Sequence, residues 1–328
     1  MIKLFNFLCI FAVVSSASIL ISAGGFDVAK YKSQYTFKDA NITKVNVNIS
    51  EVLQERSKYT NAVTLWITKD WQEDWYDIKT TQRKIINKGY TPVFIFYWFG
   101  DDVSIEYILK NEKAYFRSLE KFVKYLKKLD GQKIVVLNPE YNMFGTQAWD
   151  GMNDIFLKSY KIVRQDSQAL VGPCVGDFGD YNNTNEPDEW ILFDKSLNRA
   201  AKKADFLAFQ EMRGLTKNSK EDILKTPERA LSFAKYLNKK YKKPTMLAYL
   251  AVSSYGENGE EIQKEVYKDF VRLLPKMKKE ASMMLFGTFH YFDYPGHVGY
   301  FNEAEEYFGV LRKDGTRKPS FTYFNFLR

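Results

Sequence analysis

Cysteine and histidine are scarce in this sequence, which has 2 residues of each type among 328. Cys9 lies in the apolar N-terminal run, so Cys174 has no internal disulfide partner once that run is removed. His290 and His297 are too few for a histidine-rich metal centre, and the acidic residues do not follow the spacing of a calcium loop. We therefore expect neither a metal ion nor another cofactor.

Apolar runs long enough to span a bilayer are missing after the N-terminus. Residues 1–23 combine the cationic Lys3, an apolar run and small residues, which is typical of a secretory signal peptide. A membrane anchor is the alternative interpretation. We predict that residues 1–23 are removed, that residues 24–328 form one domain, and that the protein is secreted or periplasmic without a stable membrane span.

An excess of basic residues gives the chain a net charge of +8. Such a charge favours an acidic partner, for example an anionic polysaccharide or a membrane surface. Many of the lysines, however, lie in segments with helical spacing, where a solvated helix face explains them. No nucleic-acid-binding motif is present, so we expect no nucleic-acid partner.

Short runs rich in Val, Ile and Phe alternate with longer segments of helical spacing, which is the pattern of βα units around a parallel sheet. A single domain of this size with eight such units is an α/β fold of the (β/α)8, or TIM-barrel, type. Seven strands are predicted from the apolar runs, and an eighth is placed near the predicted mature N-terminus. The predicted strands are 26–37, 62–67, 92–98, 133–138, 169–174, 205–210, 245–250 and 285–291.

Helices are predicted where apolar residues return every three or four positions. Pro227 falls inside one of them and is expected to divide it. The predicted helices are 77–87, 112–129, 151–165, 187–203, 220–240 and 260–280.

Two glutamates directly follow predicted strands, at the end of the barrel where such folds place their active sites. Glu140 comes after an apolar strand in the run Asn138-Pro139-Glu140, and Glu211 follows the strand 205–210 in the same manner. Cleavage of a glycosidic bond usually requires two carboxyl groups. We therefore predict Glu140 as the general acid and Glu211 as the nucleophile or base, although each could instead be an ordinary loop residue, with Glu211 simply paired to Arg213.

Aromatic and polar residues near the other strand ends suit a carbohydrate, because flat sugar faces pack on aromatic rings while hydroxyls need polar partners. The residues that we predict to line the substrate site are Trp98, Asp101, Asn138, Trp149, Arg213, Tyr249 and His290.

The C-terminal third of the chain resembles (β/α)8 glycoside hydrolases of the large retaining clan. The matching pieces are the aromatic-rich segment 286–292 and the turns Lys243-Pro244, Gly309-Val310-Leu311, Asp314-Gly315-Thr316 and Lys318-Pro319. Asn-Pro-Glu at 138–140 is similar to the turn that ends the fourth strand in that clan. The resemblance implies a TIM barrel with its acid/base glutamate at Glu140.

The resemblance breaks at the end of the seventh strand, where the clan has a nucleophilic glutamate and this chain has Tyr249. Three interpretations follow: Glu211 supplies the second carboxylate, Tyr249 is itself the nucleophile as in sialidases, or the barrel binds glycan without cleaving it. We predict an exported, endo-acting glycosidase of a polysaccharide or oligosaccharide. The alternative is an inactive glycan-binding barrel that takes part in polysaccharide assembly or recognition.

Overall fold

The computed structural model describes residues 19–24, 59–178, 190–191, 193–324 and 326–327. Eight parallel strands form a closed barrel in which each strand pairs with its neighbours in sequence, and β1 pairs with β8. The predicted TIM barrel is therefore confirmed. The strands are β1 Leu20–Ala23, β2 Ala62–Thr68, β3 Thr91–Tyr97, β4 Lys133–Leu137, β5 Ala169–Asp177, β6 Leu207–Arg213, β7 Thr245–Val252 and β8 Met283–Thr288.

The first strand lies earlier in the chain than predicted. Residues 26–37 lie outside the described residues, and the place between β2 and β8 is taken by Leu20–Ala23, which pairs with β8 over all four residues. The N–H of Gly24 donates to Thr288 O at 3.0 Å, and a Cβ on Gly24 would lie 2.0 Å from Phe289 O. The predicted signal peptide 1–23 thus overlaps a barrel strand, and removal of residues 1–23 would leave β2 and β8 unpaired at that seam.

Within the described residues, five helices of ten or more residues pack around the barrel. The segment after β2 is irregular, with short helical pieces at Glu73–Tyr76, Ile78–Thr80, Thr81–Ile85 and Ile86–Lys88. Short turns of 3-10 helix occupy Thr146–Ala148 and Glu303–Tyr307. The helices are α1 Ile105–Leu126, α2 Gly151–Val163, α3 Asp194–Lys203, α4 Lys220–Tyr241, α5 Gly259–Ala281 and the single turn α6 Phe321–Phe324.

Pro227 does not divide helix α4, so that prediction was wrong. Proline cannot donate the backbone hydrogen bond that a residue at this position would give to Ile223 O. The hydroxyl of Thr226 donates to this carbonyl instead, at 2.7 Å. The neighbouring side chain therefore satisfies the acceptor, and the helix continues.

Buried residues form two layers on opposite faces of the strands. Because successive side chains of a strand point to opposite faces, alternate residues belong to different layers. On β6, Leu207 and Phe209 belong to the outer layer between barrel and helices, whereas Ala208 and Met212 belong to the layer inside the barrel. Across the described residues, no helix is both long and apolar enough to cross a membrane.

Candidate functional site

A layer of aromatic and polar side chains closes the barrel interior at the carboxyl ends of the strands. Trp66 on β2 lies 5.6 Å from Tyr97 on β3 and 5.1 Å from Tyr249 on β7, measured between ring centroids. Phe289, just after β8, lies 5.3 Å from Trp66 and 5.4 Å from Tyr249. Gln210 on β6 accepts a hydrogen bond from Tyr249 at 2.5 Å. This layer forms the floor of the candidate site.

Glu140 projects onto this floor from the turn after β4. Its φ of 62° and the φ of 51° at Asn138 lie in the left-handed region, which non-glycine residues rarely adopt. Glu140 lies deep among protein atoms and yet keeps part of its surface accessible to solvent. Strained backbone of this kind is concentrated at functional sites.

The carboxyl group of Glu140 is surrounded by hydroxyl groups. Tyr249 Oη donates to Glu140 Oε1 at 2.5 Å, and Tyr97 Oη lies 3.4 Å from Glu140 Oε2 while donating to Asp101. Burial raises the pKa of Glu140 to about 7, with smaller upward contributions from the charges of Asp101 and Glu305, whereas the hydrogen bond from Tyr249 lowers it. A carboxyl group with this pKa can exchange a proton near neutral pH.

Tyr249 links Glu140 to Gln210. Its single hydroxyl hydrogen faces two oxygens at 2.5 Å, Glu140 Oε1 and Gln210 Oε1. One O–H cannot donate to both, so when Tyr249 donates to Glu140 the Gln210 amide must turn its NH₂ group towards the phenol oxygen. The three side chains therefore form one hydrogen-bonded unit that can adjust to the protonation state of Glu140.

A second polar group lies beyond Phe289, in the chain that follows β8. Both ring nitrogens of His290 are buried and have no hydrogen-bond partner, and the rings of Phe289 and His290 lie 4.1 Å apart. His297 stacks on Phe289 at 5.7 Å and places Nε2 3.5 Å from Glu305 Oε2. Burial lowers the pKa of both histidines, so the rings are neutral at neutral pH and can bond to a neutral ligand.

Four of the predicted site residues lie in this region. Glu140 and Tyr249 share a hydrogen bond, Tyr97 connects Asp101 to them, and His290 lies on the other side of Phe289. Trp149 lies on the turn that leads into α2, and its ring packs against Gly151. No described contact joins Trp149 to Glu140.

The structure does not bring Glu211 to Glu140. Glu211 follows Gln210 on β6 and therefore points to the outer face of the strand, where it forms an ion pair with Arg213 at 2.9 Å. Arg213 also pairs with Asp177 on β5 at 3.1 Å, and Asp177 pairs with Arg229 of α4 at 2.5 Å. Burial and Asp177 raise the pKa of Glu211, and the two guanidinium groups oppose this rise. The predicted pairing of two catalytic carboxylates, Glu140 and Glu211, is thus not supported, and Arg213 belongs to the same outer network.

Asn138 and Trp98 also face the outer layer rather than the site. Asn138 Oδ1 accepts a hydrogen bond from Tyr115 of α1 at 2.8 Å. The ring of Trp98 meets the ring of Tyr115 edge-on at 5.8 Å. Trp98 contacts α1 because it lies on the outward-pointing side of β3. Asn138 would point inward by the alternation of β4, but the strand ends at Leu137 and Asn138 has a left-handed φ of 51°.

The residues at the site that were missed from the sequence include Tyr97, Gln210 and Glu305. Tyr97 and Gln210 each lie one position before a predicted site residue, Trp98 and Glu211 respectively. A strict alternation of inward and outward residues would have selected them, since Ile95 and Ala208 are inward. Glu305 had no comparable signal, because it lies on a turn far from any strand end in sequence.

Acidic, histidine and cysteine side chains form no group of three or more that could hold a metal ion within the described ranges. The polar groups around Glu140 are carboxyl, hydroxyl, amide and imidazole groups, which can hydrogen-bond to a ligand rich in hydroxyls.

No protein-family model and no curated protein sequence matches this chain. Its fold is similar to that of a β-D-glucuronidase from Dictyoglomus thermophilum, with a TM-score of 0.58 at 12% identity over 94% of this chain and 49% of that one. The chain therefore spans about half the length of that protein.

Two further structures match over most of both chains. A GH10 endoxylanase from a sugarcane soil metagenome has a TM-score of 0.57 at 12% identity, over 95% of this chain and 98% of that one. A GH5_18 protein from Bifidobacterium longum, in complex with Manb1-4GlcNAc, has a TM-score of 0.60 at 11% identity, over 94% and 77%. At the level of fold, the resemblance to glycoside-hydrolase barrels is confirmed.

Proposed function

We propose that this protein is an exported glycosidase that cleaves a polysaccharide internally, with Glu140 as its general acid. The observation that carries the proposal is the carboxyl group of Glu140, which lies on the floor of aromatic and polar side chains at the carboxyl end of the barrel, is partly accessible to solvent and has a pKa of about 7. TIM-barrel enzymes hold their active sites at this end. A carboxyl group that is still protonated near neutral pH can donate to the oxygen of a leaving sugar.

The surroundings of Glu140 suit a sugar ring. Trp66, Tyr97 and Tyr249 give the floor an aromatic surface beside the carboxyl group, against which the C–H face of a sugar can pack. The two nitrogens of His290, on the side of Phe289, are buried without a partner and would gain one from a sugar hydroxyl that reached them. The fold neighbours named as a glucuronidase, an endoxylanase and a complex with Manb1-4GlcNAc act on or bind glycans, which agrees with this proposal.

A barrel that binds glycan without cleaving it is the second candidate function. Two observations favour it: Tyr249 stands at the end of β7 where the resembling clan has its nucleophile, and Glu211 points to the outer layer. An inactive barrel would keep the aromatic floor, and it would not need a proton donor whose pKa is close to the working pH. The raised pKa of Glu140 therefore favours the enzyme.

Turnover of glycans by wild type and Glu140→Gln tests the proposal. We expect the wild type to release reducing ends and internal fragments from at least one polymer in a panel of β-glucan, xylan, mannan, poly-N-acetylhexosamine and polyuronate. Loss of a general acid lowers turnover by about 100- to 10,000-fold, while affinity for the same polymer stays. Equal turnover by both proteins would remove Glu140 from the mechanism. Binding without turnover by either protein would support the glycan-binding barrel.

Export can be tested together with the position of processing. The N-terminal run of residues 1–17 has the cationic, apolar and small-residue regions of a signal peptide, and it ends ahead of β1. We expect the exported protein to begin at or before Ile19, so that β1 keeps its pairs with β2 and β8. N-terminal sequencing of exported protein that begins at Gly24 or later would contradict this placement.

A further inference from the structure

A glycosidase normally needs a carboxyl group across the sugar from its acid. On β7, where the resembling clan places this group, the chain has the inward-facing Tyr249, three residues before the strand ends at Val252. Asp101 and Glu305 are the acidic residues whose charges act on Glu140. Asp101 follows β3, which is the direct neighbour of β4, so it approaches Glu140 from the same side of the barrel. Glu305 lies on the 3-10 turn Glu303–Tyr307, which follows β8 in sequence.

The turn that carries Glu305 lies on the end of β7. Ser253 and Ser254 directly follow β7, and they hydrogen-bond to this turn: Ser253 Oγ donates to Ala304 O at 2.6 Å, and the N–H of Ser254 donates to Tyr307 O at 3.1 Å. Phe308 packs edge-on against Phe289 at 5.7 Å. This turn therefore reaches the site from β7, which is three strands away from β4 in the closed barrel. The ring of His297, beside Glu305, stacks on Phe289 of the floor.

The two oxygens of Glu305 are held in place. Glu305 is 4% exposed, and its Oε1 accepts the N–H of Phe301 at 2.9 Å. Its Oε2 lies 3.5 Å from Nε2 of His297, whose ring is neutral at neutral pH because burial lowers its pKa. A Cβ on Gly299 would lie 2.7 and 2.8 Å from the two oxygens, so glycine at this position makes room for the carboxyl group. This carboxyl group has a fixed position without a cationic partner among the described residues.

We propose that Glu305 is the second catalytic carboxylate and acts as the general base opposite Glu140. Glu305 takes a proton from water, and the water oxygen forms a bond to the anomeric carbon. The bond from that carbon to the leaving oxygen breaks, and Glu140 gives its proton to that oxygen. One water is consumed, and each carboxyl group returns to its starting state by exchanging a proton with solvent. This inference rests on the proposed glycosidase function.

The test compares Glu305→Gln with Glu303→Gln on the polymer that the wild type cleaves. Glutamine keeps an acceptor for the N–H of Phe301, while Glu303 lies on the same turn and is exposed. We expect Glu305→Gln to lower kcat by about 100- to 10,000-fold, with unchanged affinity for an oligosaccharide product and no loss of thermal stability. Glu303→Gln should behave as wild type.

Azide rescue of Glu305→Ala separates a catalytic role from a structural one. Azide that occupies the vacated space can replace water at the anomeric carbon, so added azide should restore turnover and yield a glycosyl azide. The anomeric configuration of the glycosyl azide, and that of the wild-type product, should be inverted relative to the substrate, as expected for a general base acting on water.

Three results would overturn the inference: wild-type turnover by Glu305→Gln, retention of configuration in the wild-type product, or a Glu305→Ala variant that stays folded and shows no response to azide. Loss of turnover by Glu140→Gln together with normal turnover by Glu305→Gln would leave the proposed function standing and remove Glu305 alone. A wild type that cleaves no polymer of the panel would contradict both.

Discussion

Glu140 and Glu211 are two glutamates near the carboxyl ends of β4 and β6 that differ in the side chains around them. Glu211 lies outside the barrel wall, where two carboxylates meet the guanidinium groups of Arg213 and Arg229. Glu140 lies inside, among tyrosine hydroxyls, an amide and other acids, and no Lys or Arg of the described chain pairs with it. The outer network compensates charge, whereas the inner site leaves a carboxyl group uncompensated.

This difference suggests that the outer network stabilises the fold, whereas the inner site serves function. A buried carboxylate with cationic partners holds elements together and destabilises the fold when one partner is removed. A buried carboxyl group without such partners keeps its proton to higher pH, which suits proton transfer and costs stability when the group ionises. The two regions should therefore respond in opposite ways to substitution.

Turnover should distinguish the two glutamates most strongly. Glu140→Gln removes the proposed proton donor, and we expect a loss of about 100- to 10,000-fold in kcat. Glu211→Gln changes a group that points to the outer layer, so its kcat should stay near that of the wild type at a temperature where both are folded. The measurement is reducing-end release from the cleaved polymer. A comparable loss in Glu211→Gln would contradict the separation of the two regions.

Stability should distinguish the two regions in the opposite sense. Arg213→Met leaves Glu211 and Asp177 buried with one fewer cation, and breaking a buried pair in this way costs about 3–5 kcal/mol in the free energy of unfolding. Arg199→Met is the control, because Arg199 pairs with Asp150 and Asp154 on the surface. Exposed pairs of that kind contribute little to stability, so this variant should unfold much as the wild type does. Denaturant unfolding measures both, and equal effects would show that the buried network is not a stabilising element.

Removing the carboxyl group of Glu140 should stabilise the protein, and the gain should depend on pH. The pKa of Glu140 rises from 4.5 to about 7 on folding, so folding disfavours its ionised form. The penalty is absent below pH 4.5, grows between pH 4.5 and 7, and is complete above pH 7. A shift of this size corresponds to about 3 kcal/mol.

Unfolding experiments at two pH values check this expectation. Glu140→Gln should be more stable than wild type at pH 8 and equal to it at pH 4, whereas Glu303→Gln should show no such dependence. A constant difference at both pH values would mean that packing, rather than ionisation of Glu140, separates the two proteins.

Most of the barrel could be predicted from the sequence, because seven strands are recognisable as apolar runs between helical segments. The first strand could not. Leu20–Ala23 continues the apolar N-terminal run, and an apolar run has the same composition whether it belongs to a signal peptide or to a barrel strand.

The site was predicted less completely, and the reason is geometric. Glu140 and Tyr249 follow from the strand order, but Trp98 and Glu211 are each one residue away from the inward-facing Tyr97 and Gln210. One residue of error reverses the face of a strand. Glu305 reaches the site through hydrogen bonds between a late turn and the end of β7, a contact between distant segments that no local pattern encodes.

The smallest expected effect concerns how the inner site sets the pKa of Glu140. The hydrogen bond from Tyr249 lowers this pKa, and the charge of Asp101 raises it. Tyr249→Phe should therefore move the descending limb of the pH profile of kcat/KM to higher pH, and Asp101→Asn should move it to lower pH. Each shift should be about one pH unit or less, because a hydrogen bond contributes about 1 kcal/mol. If both variants shifted the profile in the same direction, then a group other than Glu140 would set the pKa of the descending limb. Tyr249→Phe could instead lose turnover as completely as Glu140→Gln. In that case the phenol oxygen of Tyr249 would be the nucleophile, and Glu140 would be the base that accepts its proton. The functional group inside the barrel would then be Tyr249 rather than an acid, in contrast to the structural ion pair outside it.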